Sequence, residues 1–268
     1  MRGTSDIRRA TRLDRRGHCA ALGYLALALW LVQASWCPSL ARADMIGINF
    51  KGDANGKMIG TKEAGVEPQV NWNDVGWWTV SALRESTGQD TGVSVTTTTT
   101  KHTYNSYIKV DPPDGGNDYL MRGYIYTSGG PLTVTISDLE PPFTTDNYDV
   151  IVYFDGENGS DDWVTQYTIG VDGTTIATVY GRDAKDTVQW DGTFVQAFGI
   201  SAADATAGNY VRFHELTASS FTLVGTPVSG EGPINAIQII SAPEPGTLGL
   251  VVLGAAVMFR RRRAHPGR

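Results

Sequence analysis

Cysteine is nearly absent from this chain of 268 residues. The two cysteines, Cys19 and Cys37, both fall within the first 43 residues. Residues 44–242 therefore contain none, which excludes disulfide bonds and a thiol nucleophile from that region. A region of roughly 200 residues can bury enough apolar surface to fold without covalent cross-links.

Basic residues are also scarce between residues 44 and 242. This region has 10 Lys and Arg against 25 Asp and Glu, which gives a net charge of −15. Such a surface repels nucleic acid and anionic lipid. The charge therefore excludes a nucleic-acid partner and leaves cations, neutral sugars and basic surfaces.

Sequence signatures of catalysis are missing. No serine lies in a Gly-x-Ser-x-Gly context, and His214-Glu215 lacks the second histidine of a zinc-binding helix. A pair of carboxylates that hydrolyses sugars is kept as an alternative. Among so many acidic residues, some pair always lies at a distance suitable for that reaction. We therefore expect a protein that is not an enzyme and keep a glycan-active enzyme as an alternative.

The first 43 residues have the pattern of an export signal. A basic leader precedes an apolar run at residues 20–32 and the small-residue site Ala41-Arg42-Ala43. This order is typical of a cleaved signal peptide. The run is shorter than the ~20 residues that cross a bilayer, which argues against a permanent anchor. We expect residues 1–43 to be removed by cleavage near Asp44.

Residues 243–268 form a second signal. A segment of small and apolar residues, 246–259, would span about 21 Å as a helix, short of a ~30 Å hydrocarbon core. A proline-flanked glutamate precedes this segment and a basic cluster follows it; the residues are Pro243, Glu244, Pro245, Arg260, Arg261, Arg262 and Arg263. The arginines are expected to stay on the cytoplasmic side.

These three parts, in this order, resemble the PEP-CTERM sorting signal of Gram-negative bacteria. The resemblance implies export, a transient inner-membrane anchor through the helix, and processing by an exosortase-type enzyme near the proline–glutamate–proline motif. It also implies a final location at the cell surface or in the extracellular matrix, often in association with extracellular polysaccharide. The tail gives no information about the function of residues 44–242.

Between the two signals the sequence predicts one all-β domain, an antiparallel β-sandwich. Short runs rich in Val, Ile, Thr and aromatic residues alternate with turn residues, and a single helical turn is expected near residues 80–85. Strands are expected at 45–50, 93–100, 103–110, 119–126, 132–137, 148–154, 164–169, 174–180, 193–198, 209–214, 220–224 and 235–240.

Four local patterns refine this expectation. Residues 148–154 are apolar on both faces and predict a central strand. Asp172-Gly173 predicts a type I′ hairpin. The first and last strands are expected to pair. The run Thr96–Thr100 favours an edge strand with one hydroxyl-lined face, with O-glycosylation as the alternative.

The order of these features resembles a lectin-like or carbohydrate-binding-like jelly roll. The residues that carry the resemblance are the Ile48-Asn49-Phe50 start, the segment Gly65–Asn73, the middle strand Tyr148–Phe154 and the Ile234–Ile240 finish. The resemblance implies a fold, and a ligand class by analogy only.

Two clusters are candidate binding sites. Trp72 and Trp78, with Asn71 and Asn73, combine rings that stack on sugars with amides that bond to hydroxyls; core packing is the alternative for the tryptophans. A second cluster offers oxygen ligands that suit Ca²⁺, although a solvated turn has the same composition. Its residues are Asp155, Glu157, Asn158, Asp161 and Asp162.

The sequence therefore predicts an exported, non-catalytic module of the cell envelope or matrix. Its expected ligand is extracellular polysaccharide, and Ca²⁺ is the one candidate cofactor. A purely structural surface protein without a soluble ligand is the alternative.

Overall fold

The computed structural model describes residues 43–52, 57–58, 60–76, 78–99, 101–106, 108, 116–127, 129–159, 161–185 and 190–242. The predicted signal peptide, apart from Ala43, and the whole predicted sorting tail with its helix lie outside these residues. Within the described ranges no helix is both long enough and apolar enough to cross a membrane.

The described chain consists of thirteen strands and one short helix. In chain order they are β1 Met45–Phe50, β2 Asn73–Val75, β3 Thr79–Val80, β4 Ser94–Thr97, β5 His102–Tyr104, α1 Asn117–Arg122, β6 Gly123–Ile125, β7 Leu132–Ser137, β8 Tyr148–Tyr153, β9 Trp163–Val171, β10 Thr174–Asp183, β11 Tyr210–Leu216, β12 Phe221–Ser229 and β13 Ala236–Ser241.

The strands form a sandwich of two large sheets with a small third sheet. The five-stranded sheet has the order β11-β8-β13-β1-β2, the six-stranded sheet the order β10-β9-β12-β7-β4-β3, and β5 pairs with β6. All pairs are antiparallel except β1 with β2, which is parallel. The all-β sandwich prediction is confirmed, with that one parallel pair as a difference.

The centre of the five-stranded sheet is buried on both faces. β1 and β13 are buried along their whole length and pair from Met45 opposite Ile240 to Asn49 opposite Ala236. One face packs on the six-stranded sheet through one apolar cluster. The other face is covered by a second cluster that includes Trp72 of the 60–72 segment and Leu120 of α1. Such double cover explains the continuous apolar runs.

Three local predictions about this architecture are confirmed. The first and last strands pair, as β1 and β13. β8 lies between β11 and β13, in the interior of its sheet. Asp172 and Gly173 have φ values of 50° and 78°, as a two-residue hairpin with positive φ at both positions requires.

The strand predicted at 119–126 is wrong in its first half. Residues 117–122 form α1, which places Leu120 and Met121 under the five-stranded sheet; only Gly123–Ile125 is a strand. The aromatic residues of this segment favour a strand, but burial of the two apolar side chains stabilises a helical turn instead.

The helical turn predicted near residues 80–85 is also wrong. Ala82 has a left-handed φ of 56°, which interrupts any right-handed helix. Leu83 instead donates its backbone N–H to the carbonyl of Val93 (3.0 Å).

The strand predicted at 193–198 is replaced by an irregular segment, residues 190–209, which we call the strap. Tyr180 of the β10 edge donates its backbone N–H to the carbonyl of Gly199 (2.9 Å). Ala197 donates its own backbone N–H to the carbonyl of Tyr210 on the β11 edge (2.8 Å). The strap therefore satisfies backbone groups on the outer strands of both large sheets.

Candidate functional site

Trp72 lies inside the protein. Its side chain is 6% exposed, and its ring meets Tyr153 edge-on at 6.2 Å between centroids. The indole N–H donates to the carbonyls of Gln69 (3.1 Å) and Ala64 (3.3 Å). A methyl group added at Gly47 would lie 2.5 Å from the Trp72 ring, so the indole rests directly on the backbone of β1. This indole offers no free face to a sugar.

The two asparagines beside Trp72 hold backbone segments together. Asn71 has a φ of 59° and donates its side-chain amide to the carbonyl of Ser86 (3.0 Å). Asn73 donates to the carbonyls of Gly47 and Arg84 and accepts the Arg84 N–H, all within 2.8 Å. These amides are engaged in joining the 71–73 segment to its neighbours.

Trp78 differs from Trp72, because it is 60% exposed at the start of the edge strand β3. Its φ is 72°, and its carbonyl accepts the N–H of Thr97 (3.2 Å). The sequence cluster is therefore divided: three of its members are fixed within the fold and one ring reaches solvent.

The acidic loop after β8 folds back on the protein at its first residues. Asp155 is 7% exposed; it accepts a hydrogen bond from Asn105 (3.1 Å), and its N–H donates to Asn235 (2.6 Å). Asn158 donates to the carbonyl of Asp183 (3.0 Å), and Glu157 accepts a hydrogen bond from Ser106.

The end of the acidic loop is held in the same way. Asp162 accepts the N–H of Lys185 (2.9 Å) and lies 3.7 Å from the Arg182 guanidinium. The N–H of Asp161 donates to the carbonyl of Asn158 (3.0 Å). In the described part of the chain no three His, Cys, Asp or Glu residues are grouped so that they could hold a metal ion.

A pocket of about 220 Å³ opens beside the acidic loop, at the ends of β8 and β10. The polar and aromatic side chains that line it come from the loop, from β10 and from the strap, and are those of Asp155, Asp183, Trp190, Asp191, Thr193 and Asn209. Val195, Ala184, Ala207 and Gly208 complete the wall. The pocket is smaller than the ~300–1,000 Å³ of drug-sized ligand sites, so it suits a small ligand or a single ring of a polymer.

The pocket wall is preorganised. The N–H of Gly156 donates to Asp183 (2.8 Å), which fixes this 8%-exposed carboxylate against the acidic loop. Trp190 donates its indole N–H to Asp118 of α1 (2.7 Å) and packs on Phe194 at 4.7 Å between ring centroids. Asn209 accepts the N–H of Val195 (2.9 Å) and donates to the carbonyl of Thr193 (2.8 Å).

The pocket presents acceptor oxygens and one indole, with no basic side chain among its lining residues. Carboxylate oxygens accept hydrogen bonds from ligand hydroxyls, and an indole packs against an apolar ligand face. Of the predicted site residues, only Asp155 lines this pocket. Sequence reasoning missed Asp183, Trp190 and Asn209, which lie on different segments of the chain, so no local spacing connects them.

Comparison with known proteins identifies the signal in the C-terminal tail. Residues 241–263 match the family model described as the PEP-CTERM protein-sorting motif. The prediction of that signal is confirmed, and with it an exported protein that is sorted by its C-terminal tail and processed by an exosortase-type enzyme after a transient stay in the membrane. No curated protein and no solved structure matches the chain. The resemblance to a lectin-like jelly roll stays a prediction.

Proposed function

We propose that residues 44–242 form a non-catalytic module that binds extracellular polysaccharide, and that the pocket beside the acidic loop receives one sugar ring. The observation that carries this proposal is the composition of the pocket: fixed oxygen acceptors surround a space of about 220 Å³ with one indole in its wall. Sugars have hydroxyl donors and apolar C–H faces, which are the complements of these two features.

The charge of the protein restricts which polysaccharides it can bind. Asp155, Asp183 and Asp191 line the pocket, and no lysine or arginine does. A polymer rich in uronate or sulfate would be repelled by these carboxylates and by the net charge of −15. Neutral or amino-bearing polysaccharides are therefore the expected ligands.

The roles of the carboxylates favour binding over hydrolysis. Asp183 accepts a backbone N–H at 2.8 Å, and Asp155 accepts an amide hydrogen bond at 3.1 Å. A general acid would need a carboxyl group whose proton is available to the substrate. Here both carboxylates instead accept hydrogen bonds from the protein, which hold them in place.

Filling the pocket tests the proposal. Ala207 is exposed and lines the pocket, so Ala207→Phe fills the space without removing any side-chain hydrogen bond. Ala203→Phe is the matched control, because Ala203 is an exposed alanine of the same strap that does not line the pocket. Affinity electrophoresis of residues 44–242 in cellulose-, dextran- and chitosan-containing gels measures binding.

We expect retarded migration in at least one gel for the wild type and for Ala203→Phe, and a loss of at least about tenfold in affinity for Ala207→Phe. Equal binding by all three proteins would show that the pocket is not the polysaccharide-binding site. Absence of binding by the wild type in every gel would favour the structural surface protein. Release of reducing sugar that Asp183→Asn abolishes would show an enzyme.

A further inference from the structure

The outer face of the six-stranded sheet is built almost entirely from threonine and other uncharged residues. Alternation places Val134, Leu223 and Ile169 in the core, so their strand neighbours point outward. The outward residues are half-buried or exposed: Thr79, Ser94, Thr96, Thr133, Thr135, Ser137, Val164, Gln166, Thr168, Gly170, Thr178, Tyr180, Thr222, Val224 and Thr226. We call this surface the threonine face.

The strand register aligns these threonines in rows across the sheet. In one row Thr79 is opposite Thr96, Thr96 opposite Thr135, and Thr135 opposite Thr222. In the next row Thr133, Val224, Thr168 and Thr178 follow one another. Hydroxyl groups meet within the rows, at 2.9 Å between Thr79 and Thr96 and at 3.3 Å between Thr168 and Thr178.

In the six described strands, the face carries one charged residue, Arg182 opposite Val164 at one corner, in a protein that is otherwise strongly acidic. The charged residues of the six strands are Arg182 and Asp183, the last two of β10, and Arg182 is within ion-pair distance of Asp162 at that corner. By contrast, the five-stranded sheet carries an ion pair of 2.7 Å between Asp149 of β8 and Arg212 of the edge strand β11. Threonine suits strands, but its strand preference does not explain why lysine and glutamate are missing from an entire face.

We propose that the threonine face is a self-association surface and that its partner is the same face of a second copy of this domain. Two domains of net charge −15 repel one another. The threonine face allows two copies to meet without bringing carboxylates together. Its β-branched methyl groups can interdigitate as facing sheets do, about 10 Å apart, while the hydroxyls bond to one another or to water. This inference is independent of polysaccharide binding.

Pairing of strand edges is a poorer route for association. The strap occupies backbone groups of the β10 edge and of the β11 edge. At the other end of the six-stranded sheet, β3 has only two residues, Thr79 and Val80. Short or covered edges oppose strand addition at these positions, so association through the threonine face is the more favourable route.

The dimensions of the face predict a weak contact. The outward residues are spaced about 4.8 Å apart between strands and about 6.8 Å apart along each strand, so the fifteen residues of the threonine face cover roughly 500 Å² per copy. Two copies would then bury about 1,000 Å², at the lower limit for a specific interface. We expect a reversible dimer that forms at high local concentration, as in a matrix or on a crowded surface.

Sedimentation equilibrium of residues 44–242 tests this, at protein concentrations up to about 1 mM. Thr135→Glu places a charge in the middle of the face, and Thr96→Glu places one at an exposed position of the same row. Thr217→Glu is the matched control, because Thr217 is exposed in the loop between β11 and β12. Thermal melting checks that each variant is folded.

We expect the wild type and Thr217→Glu to dimerise, and the two face variants to dimerise at least about tenfold more weakly. Raising NaCl from about 0.1 M to about 1 M shortens the Debye length from about 10 Å to about 3 Å, so wild-type association should strengthen as repulsion is screened. A wild type that stays monomeric throughout would overturn the proposal, as would equal association of folded Thr96→Glu. Association that weakens with salt would indicate a charged interface elsewhere and would overturn it too. A monomeric wild type whose cellulose binding is lost in Thr96→Glu would assign the face to glycan instead.

Discussion

Truncation of Trp72 separates a packing role from a sugar-binding role. The indole is 6% exposed, donates to two backbone carbonyls and rests on Gly47. Removing a buried tryptophan side chain costs about 3–5 kcal/mol. Domains are stable by only about 5–15 kcal/mol, so Trp72→Ala should lose a large part of the free energy of unfolding.

The expected change is large enough to measure by thermal melting. For a domain of roughly 200 residues each kcal/mol shifts the melting temperature by about 2–4 °C, so Trp72→Ala should melt about 6–20 °C below the wild type. Trp78→Ala is the control, because the Trp78 side chain is 60% exposed and its removal should change stability by no more than about 0.5 kcal/mol. Circular dichroism of residues 44–242 during heating measures both.

A conservative variant addresses binding without unfolding the domain. Trp72→Phe keeps an aromatic ring in the core and loses the N–H, so it should fold and retain wild-type affinity for any polysaccharide that the protein binds. The reasoning would be refuted if Trp72→Ala melted with the wild type while Trp72→Phe lost that affinity. Such a result would mean that Trp72 is exposed in solution.

Three further changes have defined outcomes. Asn235→Ala should lower the free energy of unfolding in urea by about 2–4 kcal/mol, because buried Asn235 accepts the Asp155 N–H at 2.6 Å and the alanine would leave that N–H unpaired; retention of wild-type stability would contradict this. Burial is the main cause that raises the pKa of Asp74, so its folded form holds a proton more readily than its unfolded form and its charge opposes folding above the folded pKa. Asp74→Asn should therefore raise the urea midpoint more at about pH 7 than at about pH 3, and an equal gain at both would refute the argument. EDTA should leave the melting temperature of the wild type unchanged, because Asp155 and Asp162 accept hydrogen bonds from the protein; a decrease would reopen the calcium hypothesis.

Strand positions could be predicted where the side-chain pattern is local. β1 and β7 have the predicted bounds and β8 differs by one residue. β7 alternates buried and half-buried side chains, and β1 and β8 are short, largely buried runs; both patterns are local signals of a strand. The pairing of β1 with β13 followed from the apolar ends of the domain. Helix α1 could not be predicted in this way, since its stability comes from Leu120 and Met121 packing under a sheet that is formed by distant residues.

The candidate site was harder to predict, for two physical reasons. The left-handed backbone at Asn71, with a φ of 59°, helps turn Trp72 inward. Asparagine adopts positive φ more often than most residues, but the sequence does not show which asparagine will do so. The pocket assembles Asp155, Asp183 and Asn209 from segments far apart in sequence. No local spacing connects such residues, whereas the sorting motif is contiguous and could be predicted from its own residues.

The strap links the pocket beside the acidic loop to the protection of the sheet edges. Its backbone bonds to Tyr180 and Tyr210 cover strands that would otherwise be free to pair with other chains, which matters for an exported domain that has no disulfide bonds. The same segment supplies Trp190 and Asn209 to the pocket, and Asn209 closes the strap on itself through Thr193 and Val195. A change at Asn209 should therefore weaken ligand binding and expose both edges together, whereas filling the pocket at its exposed wall should affect binding alone.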